Sequence, residues 1–175
     1  MAARVGCPAG YGGLVRARLL DREAELRALT RQVRAVRAGA GQVIVVDGPA
    51  GIGKTSLLAA IADGAEADGV AVLRARGGPL EQEAAWGVAR QLFEPLRAGE
   101  VWGELAVGAA KLATRALDPA TAEPANAGDA MYAAARGLVW LAANLATRGP
   151  AVLVVEMCTG LTRRRCAGWR SLPAT

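Results

Sequence analysis

The chain has 175 residues, of which 53% are hydrophobic and only 4% aromatic, so one domain with a core of Ala, Val and Leu is expected. It contains no histidine, which excludes His-based zinc sites and Ser-His or Cys-His catalytic pairs. The net charge of +5 is concentrated in the last twenty residues, which hold four arginines and one glutamate, so the nearly neutral body does not indicate nucleic-acid binding.

The first predicted elements are a helix and a buried strand. Residues 1–18 are rich in Gly, Ala and Arg without periodicity, which predicts a loose leader. Asp21 is a suitable N-cap for an amphipathic helix that ends near Gly39. Its apolar positions recur at helical spacing: Leu26, Leu29, Val33 and Val36. The β-branched run QVIVVD, Gln42–Asp47, then predicts a strand buried on both faces of a parallel sheet.

Helical and extended patterns alternate from residue 54 to residue 155. The predicted helices lie at Lys54–Ala67, Glu81–Leu96, Val101–Leu117 and Gly128–Arg148. The predicted strands lie at Val70–Arg76 and Ala151–Val155. Residues 118–127 have the composition of a turn-rich linker. This order indicates an α/β fold with a parallel sheet of about three strands.

A phosphate-binding motif lies between the first predicted strand and the helix that follows it. GPAGIGKT, Gly48–Thr55, matches G-x-x-x-x-G-K-[ST] in the required strand–loop–helix context. Its glycines let backbone N–H groups point at phosphate oxygens, and the helix start adds a positive dipole end. The candidate binding residues are Gly48, Pro49, Ala50, Gly51, Ile52, Gly53, Lys54, Thr55 and Ser56. We expect Lys54 to reach the β and γ phosphates and Thr55 to coordinate Mg²⁺.

One acidic residue follows the third predicted strand. Glu156 is a candidate for the metal side of the site and for catalysis, because P-loop ATPases place an acid at the end of a neighbouring strand. No second acid follows Glu156, so the usual catalytic base is missing and efficient hydrolysis is not expected. The alternative interpretation of Glu156 is a surface charge at a strand end.

The cysteines and the hydropathy pattern favour a cytoplasmic protein. Cys7, Cys158 and Cys166 have no metal-ligand spacing and are expected to be reduced thiols. No apolar run reaches the roughly 18 residues that a bilayer span needs. Residues 1–13 lack the continuous apolar stretch of a secretory signal.

Three segments together resemble the N-terminal ATPase domain of large LuxR-family bacterial transcriptional regulators, which belong to the STAND branch of the AAA-like ATPases. They are LLDREAELRAL at Leu19–Leu29, VIVVDGPAGIGKTSLL at Val43–Leu58 and GPAVLVV at Gly149–Val155. The resemblance covers residues 19–155. It implies an incomplete P-loop NTPase domain with a three-layer α/β/α fold and spatial strand order 2-3-1. It also implies ATP as the nucleotide, with Leu20 and Arg22 near the adenine.

In such regulators, ATP is a switch that permits oligomerisation and DNA binding through a separate helix-turn-helix domain, which we do not expect within this chain. Residues 156–175 depart from the family, which continues with an acidic pair and a segment like DDxHWADxxSLRWLxxLAR. DNA encoding residues 156–174 can be chosen so that a shifted frame reads DVHWADAPSLRWLAFLAR. We therefore interpret the irregular basic tail as a frameshift product. The alternative is a small nucleic-acid-binding tail built on Arg163–Arg165 and Trp169.

Three functions follow as hypotheses from these patterns. The first is a nucleotide-binding switch module of a transcriptional regulator, with ATP and Mg²⁺ as cofactors and without efficient hydrolysis. The second is an active P-loop NTPase or kinase, and the third is a remnant that no longer binds nucleotide. Because the sheet is incomplete, the strand at Val43–Val46 is expected to have an exposed apolar edge that favours self-association. No membrane partner is expected.

Overall fold

The computed structural model describes residues 22–78, 86–118 and 128–157. The helices in these ranges are α1 (Glu23–Arg37), α2 (Lys54–Ala67), α3 (Gly87–Arg97), α4 (Trp102–Leu105), α5 (Ala113–Leu117) and α6 (Gly128–Arg148). A 3₁₀ helix, Gly108–Leu112, precedes α5. The strands are β1 (Ala71–Gly77) and β2 (Ala151–Met157).

The two strands form a parallel pair, with Ala71 opposite Ala151 and Gly77 opposite Met157. Their connection passes through α3 to α6, as a parallel pair requires a long crossover. Alternate residues of β1 enter different cores: Leu73 packs with α3 to α6, whereas Val72 packs with α1 and α2. Helices therefore cover both faces of the sheet, which gives the described residues an α/β/α layering.

The larger core lies between β1 and the helices α3 to α6. Its fully buried side chains include Leu105, Leu117 and Leu141. Helix α6 comes very close to the start of α5 at Gly137, where an added Cβ would lie 2.3 Å from the backbone nitrogen of Ala113. A glycine is therefore required for this helix crossing.

The smaller core joins α1 and α2 to the other face of the sheet. Val33 of α1 and Ile61 of α2 pack there with Val72 and Val154 of the two strands. Outside this core, Arg74 of β1 forms ion pairs with Asp63 and Glu66 of α2 at 2.8 and 3.0 Å. This packing fixes the position of α2, and the phosphate-binding motif leads directly into that helix.

The predicted strand at Gln42–Asp47 is wrong. These residues form no strand, and the main chain of residues 43–47 makes no backbone hydrogen bond to the part of the chain that the structure describes. Val43 and Val45 are 85% and 83% exposed. A β-branched run favours a strand only where a neighbouring strand and covering side chains are present. The described sheet therefore has two strands instead of about three.

Two predicted helices differ from the observed ones. Trp86 has φ 64°, in the left-handed region, so the helix predicted at Glu81–Leu96 cannot run through it, and α3 begins at Gly87. The helix predicted at Val101–Leu117 is divided into α4, the 3₁₀ helix and α5. Val107 is extended there and Gly108 has φ 57°, which interrupts the helical hydrogen bonds.

Other predictions agree with the structure. Helices α2 and α6 have the predicted bounds, and β1 and β2 differ from the predicted strands by one or two residues at their ends. Asp21, the leader at 1–18, most of the linker and the tail from residue 158 lie outside the described residues. Within the described ranges, no helix is long and apolar enough to cross a membrane.

Candidate phosphate-binding site

The glycine loop turns sharply into the start of α2. Gly51 and Gly53 have φ values of 79° and 91°, which a residue with a side chain rarely adopts. Gly53 is the N-cap of α2, and its carbonyl accepts a hydrogen bond from the Leu57 N–H at 3.0 Å. No side chain caps this helix start. The first N–H groups of α2 therefore remain available to an anion, as at other helix N-termini.

The Lys54 side chain folds back over the loop. Its ammonium group donates to the carbonyl of Gly48 at 2.7 Å and to the carbonyl of Pro49 at 2.8 Å. The loop thus surrounds a positive charge with main-chain oxygens. A phosphate oxygen is a stronger acceptor for this ammonium group than a neutral carbonyl, because a charged acceptor shortens and strengthens the hydrogen bond.

The hydroxyl residues of the motif lie in the first turn of α2. Thr55 is exposed and Ser56 is half-buried. A hydroxyl at the position of Thr55 can supply one oxygen ligand to Mg²⁺, and waters and phosphate oxygens would supply the others. The described residues contain no group of three or more carboxylate or thiol side chains that could hold a metal ion. The residues that are present fit an ion bound jointly with phosphate.

A cleft of about 150 Å³ opens between the loop and the start of α1. It is lined by Arg22, Glu25, Val46, Asp47, Ile52, Gly53, Lys54 and Leu57. Ligand pockets usually measure about 300–1,000 Å³, so this cleft would enclose only part of a nucleotide. Its walls carry both cations and carboxylates, which suits a polar, charged ligand rather than an apolar one.

The structure brings some of the predicted site residues together and not others. Arg22, Ile52, Gly53 and Lys54 meet in the cleft. Glu156 lies in β2, opposite Arg76, and is not among the residues that line the cleft. Leu20 lies outside the described residues. The proposed binding roles, those of Glu156 and Leu20 included, stay predictions.

Arg22 connects α1 to the loop. One guanidinium nitrogen donates to the Glu25 carboxylate at 2.6 Å, and another donates to the Ile52 carbonyl at 3.3 Å. A backbone hydrogen bond of Glu25 and the hydrogen bond from Arg22 hold the pKa of the Glu25 carboxyl below its ordinary value. Arg22 and Glu25 therefore form a charged pair beside the phosphate loop.

Four lining residues were not predicted as part of the site: Glu25, Val46, Asp47 and Leu57. Glu25 follows Arg22 by three residues, a spacing at which helical side chains meet, so the pair could have been found in the sequence. Asp47 directly precedes the first glycine of the motif. Val46 and Leu57 carry no such signal, since apolar residues flank most glycine loops.

Comparison with known proteins agrees with this geometry. A family model described as an AAA ATPase domain matches residues 18–165, which include the glycine loop, the cleft and both strands. No curated protein and no solved structure matches the chain. Because the match extends over most of the sequence, the chain belongs to the AAA ATPase domain family.

Proposed function

We propose that this chain binds ATP together with Mg²⁺ and serves as the nucleotide-switch module of a LuxR-type transcriptional regulator, without efficient hydrolysis. The observation that carries the proposal is the placement of Lys54. Its ammonium group lies across a loop of left-handed glycines at the uncapped N-terminus of α2. Membership of a family whose domains generally use ATP and Mg²⁺ supports the binding part of the proposal.

Four motif residues act as ligands in this proposal. The N–H groups of Gly51, Gly53 and Lys54 donate to phosphate oxygens, and the Lys54 ammonium group moves from the Gly48 and Pro49 carbonyls to the β and γ phosphates. The Thr55 hydroxyl supplies a ligand to Mg²⁺. The ion, when bound, neutralises charge on the phosphates.

The proposal of binding without efficient turnover rests on the carboxylates near the loop. Hydrolysis requires a group that orients or deprotonates the attacking water. Glu25 is engaged with Arg22 at 2.6 Å, and Glu156 does not line the cleft. The Glu25 carboxylate is thus committed to an ion pair and would be a poor base while that pair persists.

One observation favours the alternative of an active NTPase. Asp47 lines the same cleft as Lys54 and directly precedes Gly48. A carboxylate at this position could orient a water near the phosphates. ATP hydrolysis above background that is lost in both Lys54→Ala and Asp47→Asn would establish this alternative.

The regulator context is proposed from the resemblance of the opening segment and the loop to LuxR-type ATPase domains. In this proposal the bound nucleotide changes the conformation of the domain, and a separate DNA-binding domain responds to that change. The expected partner of the described residues is therefore the nucleotide itself. The proposal assigns no DNA contact to them.

The first test is Mg²⁺-dependent binding of a fluorescent ATP analogue to the full chain. Lys54→Ala should weaken binding by at least about tenfold, because a hydrogen bond to a charged group contributes about 1.5–3 kcal/mol. Lys111→Ala is the matched control: Lys111 is the other lysine of the chain, and it lies exposed on the 3₁₀ helix. Circular dichroism would establish that each variant folds.

The outcomes separate the three functions. Binding that Lys54→Ala loses and Lys111→Ala keeps, without hydrolysis, supports the switch module. Equal binding by the three proteins would show that the glycine loop is not the site. Absence of binding by the folded wild-type chain would favour the remnant.

A further inference from the structure

The contact between Arg22 and Ile52 reaches the phosphate loop from outside it. Arg22 lies directly before α1. Its guanidinium group contacts the carbonyl of Ile52, thirty residues later in the chain, at 3.3 Å. The acceptor belongs to the peptide group that joins Ile52 to Gly53, the N-cap of α2. Arg22 therefore contacts the main chain at the point where the loop becomes a helix.

The orientation of this peptide group decides where the Gly53 N–H points. In a planar trans peptide, the carbonyl and the following N–H point in opposite directions. With the Ile52 carbonyl directed at Arg22, the Gly53 N–H is directed away from Arg22. Rotation of the peptide group would turn this donor away from its present direction.

Packing alone does little to prevent that rotation. No heavy atom lies within 4 Å of the place where a Cβ would stand on Gly51 or on Gly53. Glycine also adopts both signs of φ readily, so the loop backbone has low intrinsic barriers to rearrangement. The hydrogen bond from Arg22 therefore restrains a backbone segment that could otherwise change its conformation.

Glu25 restrains Arg22 in turn. Its carboxylate accepts from the second guanidinium nitrogen at 2.6 Å, and the two side chains are 31% and 42% exposed. A guanidinium group presents its donors in a rigid plane, so fixing one nitrogen fixes the direction of the other. A lysine at this position could not make both contacts with the same geometry.

We propose that Arg22 is a positioning residue of the phosphate loop: through the Ile52 carbonyl it orients the Gly53 N–H for phosphate binding, and Glu25 holds the guanidinium group in place. This inference rests on the proposed nucleotide binding. It differs from the adenine-side role that the family resemblance implies for Arg22, because it makes the contribution of Arg22 independent of the base.

The test compares a ligand that has a base with one that has none. Affinities of the full chain for Mg²⁺-ATP and for Mg²⁺-tripolyphosphate are measured by isothermal titration calorimetry. Arg22→Gln is expected to weaken both affinities by the same factor, about tenfold. A residue that contacts only the adenine would weaken the affinity for ATP and leave that for tripolyphosphate unchanged, and this result would overturn the proposal.

Two further variants separate positioning from a loss of charge or of stability. Arg27→Gln removes an arginine of α1, the helix that Arg22 precedes. The Arg27 side chain donates to the Glu23 carbonyl within that helix, so this substitution should change neither affinity. Glu25→Gln should also weaken both affinities, but by a smaller factor than Arg22→Gln does. Equal losses in Arg27→Gln and Arg22→Gln would overturn the proposal, because they would indicate a general effect of net charge.

Unfolding by urea supplies the remaining readout. Arg22→Gln and Glu25→Gln lose the same ion pair. If Arg22 acts on the loop, the urea midpoint of Arg22→Gln therefore falls no further than that of Glu25→Gln, while its two affinities fall further. A midpoint of Arg22→Gln well below that of Glu25→Gln would overturn the positioning role in favour of a structural one. Absence of binding of both ligands by the wild type would overturn the proposed function, whereas binding that Arg22→Gln leaves intact would overturn only the role of Arg22.

Discussion

Two cations contact the phosphate loop, and their partners differ. The Lys54 ammonium group is held by the neutral carbonyls of Gly48 and Pro49, whereas the Arg22 guanidinium group is held by the Glu25 carboxylate. An incoming phosphate can displace neutral carbonyls from Lys54 more easily than it can displace a carboxylate from Arg22, because charge-assisted pairs are stronger. In the proposed function, Lys54 is therefore the cation that binds the ligand, and Arg22 the one that stays with the protein.

The Arg22–Glu25 pair predicts a specific pH dependence of stability. The folded pKa of the Glu25 carboxyl is lowered from 4.5 by a backbone hydrogen bond and by Arg22. Its contribution to stability is consequently complete above the unfolded pKa and is lost as the pH falls through the lower, folded pKa. Wild type should thus be more stable than Glu25→Gln near neutral pH, and the difference should shrink in acid.

Urea unfolding of the two proteins at a series of pH values would check this. Glu23→Gln is the matched control, because Glu23 lies in the same helical turn and its exposed side chain has no ion pair among the described residues. A difference between wild type and Glu25→Gln that persists unchanged through the acid range would contradict the prediction.

At the level of elements, the sequence predicted best where local pattern and tertiary packing agree. Helix α6 has the predicted bounds, because its regular apolar positions, such as Leu141 and Leu145, enter the main core. The turn of the glycine loop into α2 also agrees with the sequence pattern, since the positive φ values of Gly51 and Gly53 follow from residue type and not from distant contacts. Local chemistry was sufficient in both cases.

The failures arise where the decisive interaction is not local. Gln42–Asp47 has the composition of a buried strand, but its state depends on a neighbour and a covering layer that a sequence pattern does not report. Trp86 adopts a left-handed conformation, which a tryptophan in a sequence does not indicate. The contact between Arg22 and Ile52 joins residues thirty positions apart, so spacing rules could not identify it.

The crossing of α6 over the start of α5 gives a prediction at this scale. Gly137→Ala places a methyl group 2.3 Å from the Ala113 nitrogen and 2.6 Å from the Leu112 carbonyl carbon, so the helices must move apart. We expect a loss of about 1–3 kcal/mol in the free energy of unfolding, as for other overpacked cores. Urea unfolding monitored by circular dichroism measures it.

Gly64→Ala is the matched control for this substitution. Gly64 lies inside α2, and nothing is within 4 Å of its added Cβ. The same change should therefore stabilise the protein by about 0.5–1 kcal/mol, since alanine is the better helix former. Equal effects of the two substitutions would show that the close approach at Gly137 does not limit stability.

At the scale of the whole molecule, the sheet of the described residues has only two strands and therefore two edges. Strand β2 pairs with β1 on one side, and no other strand of the described ranges pairs with it. Leu153, Val155 and Met157 on β2 are each more than two-fifths exposed. The apolar segment Val43–Val46 adds a second exposed surface that can form strand-like pairing. Such surfaces promote association between copies of a chain.

We therefore predict that the protein self-associates through residues 43–46 and the edge of β2. Val43→Lys combined with Val45→Lys should lower the association measured by sedimentation velocity over a concentration series, because charged side chains prevent strand pairing between copies. Val139→Lys is the control, since Val139 on α6 is 67% exposed but lies outside the sheet. An equal reduction by the control would place the interface on α6, and a wild-type chain that stays monomeric at all concentrations would contradict the prediction.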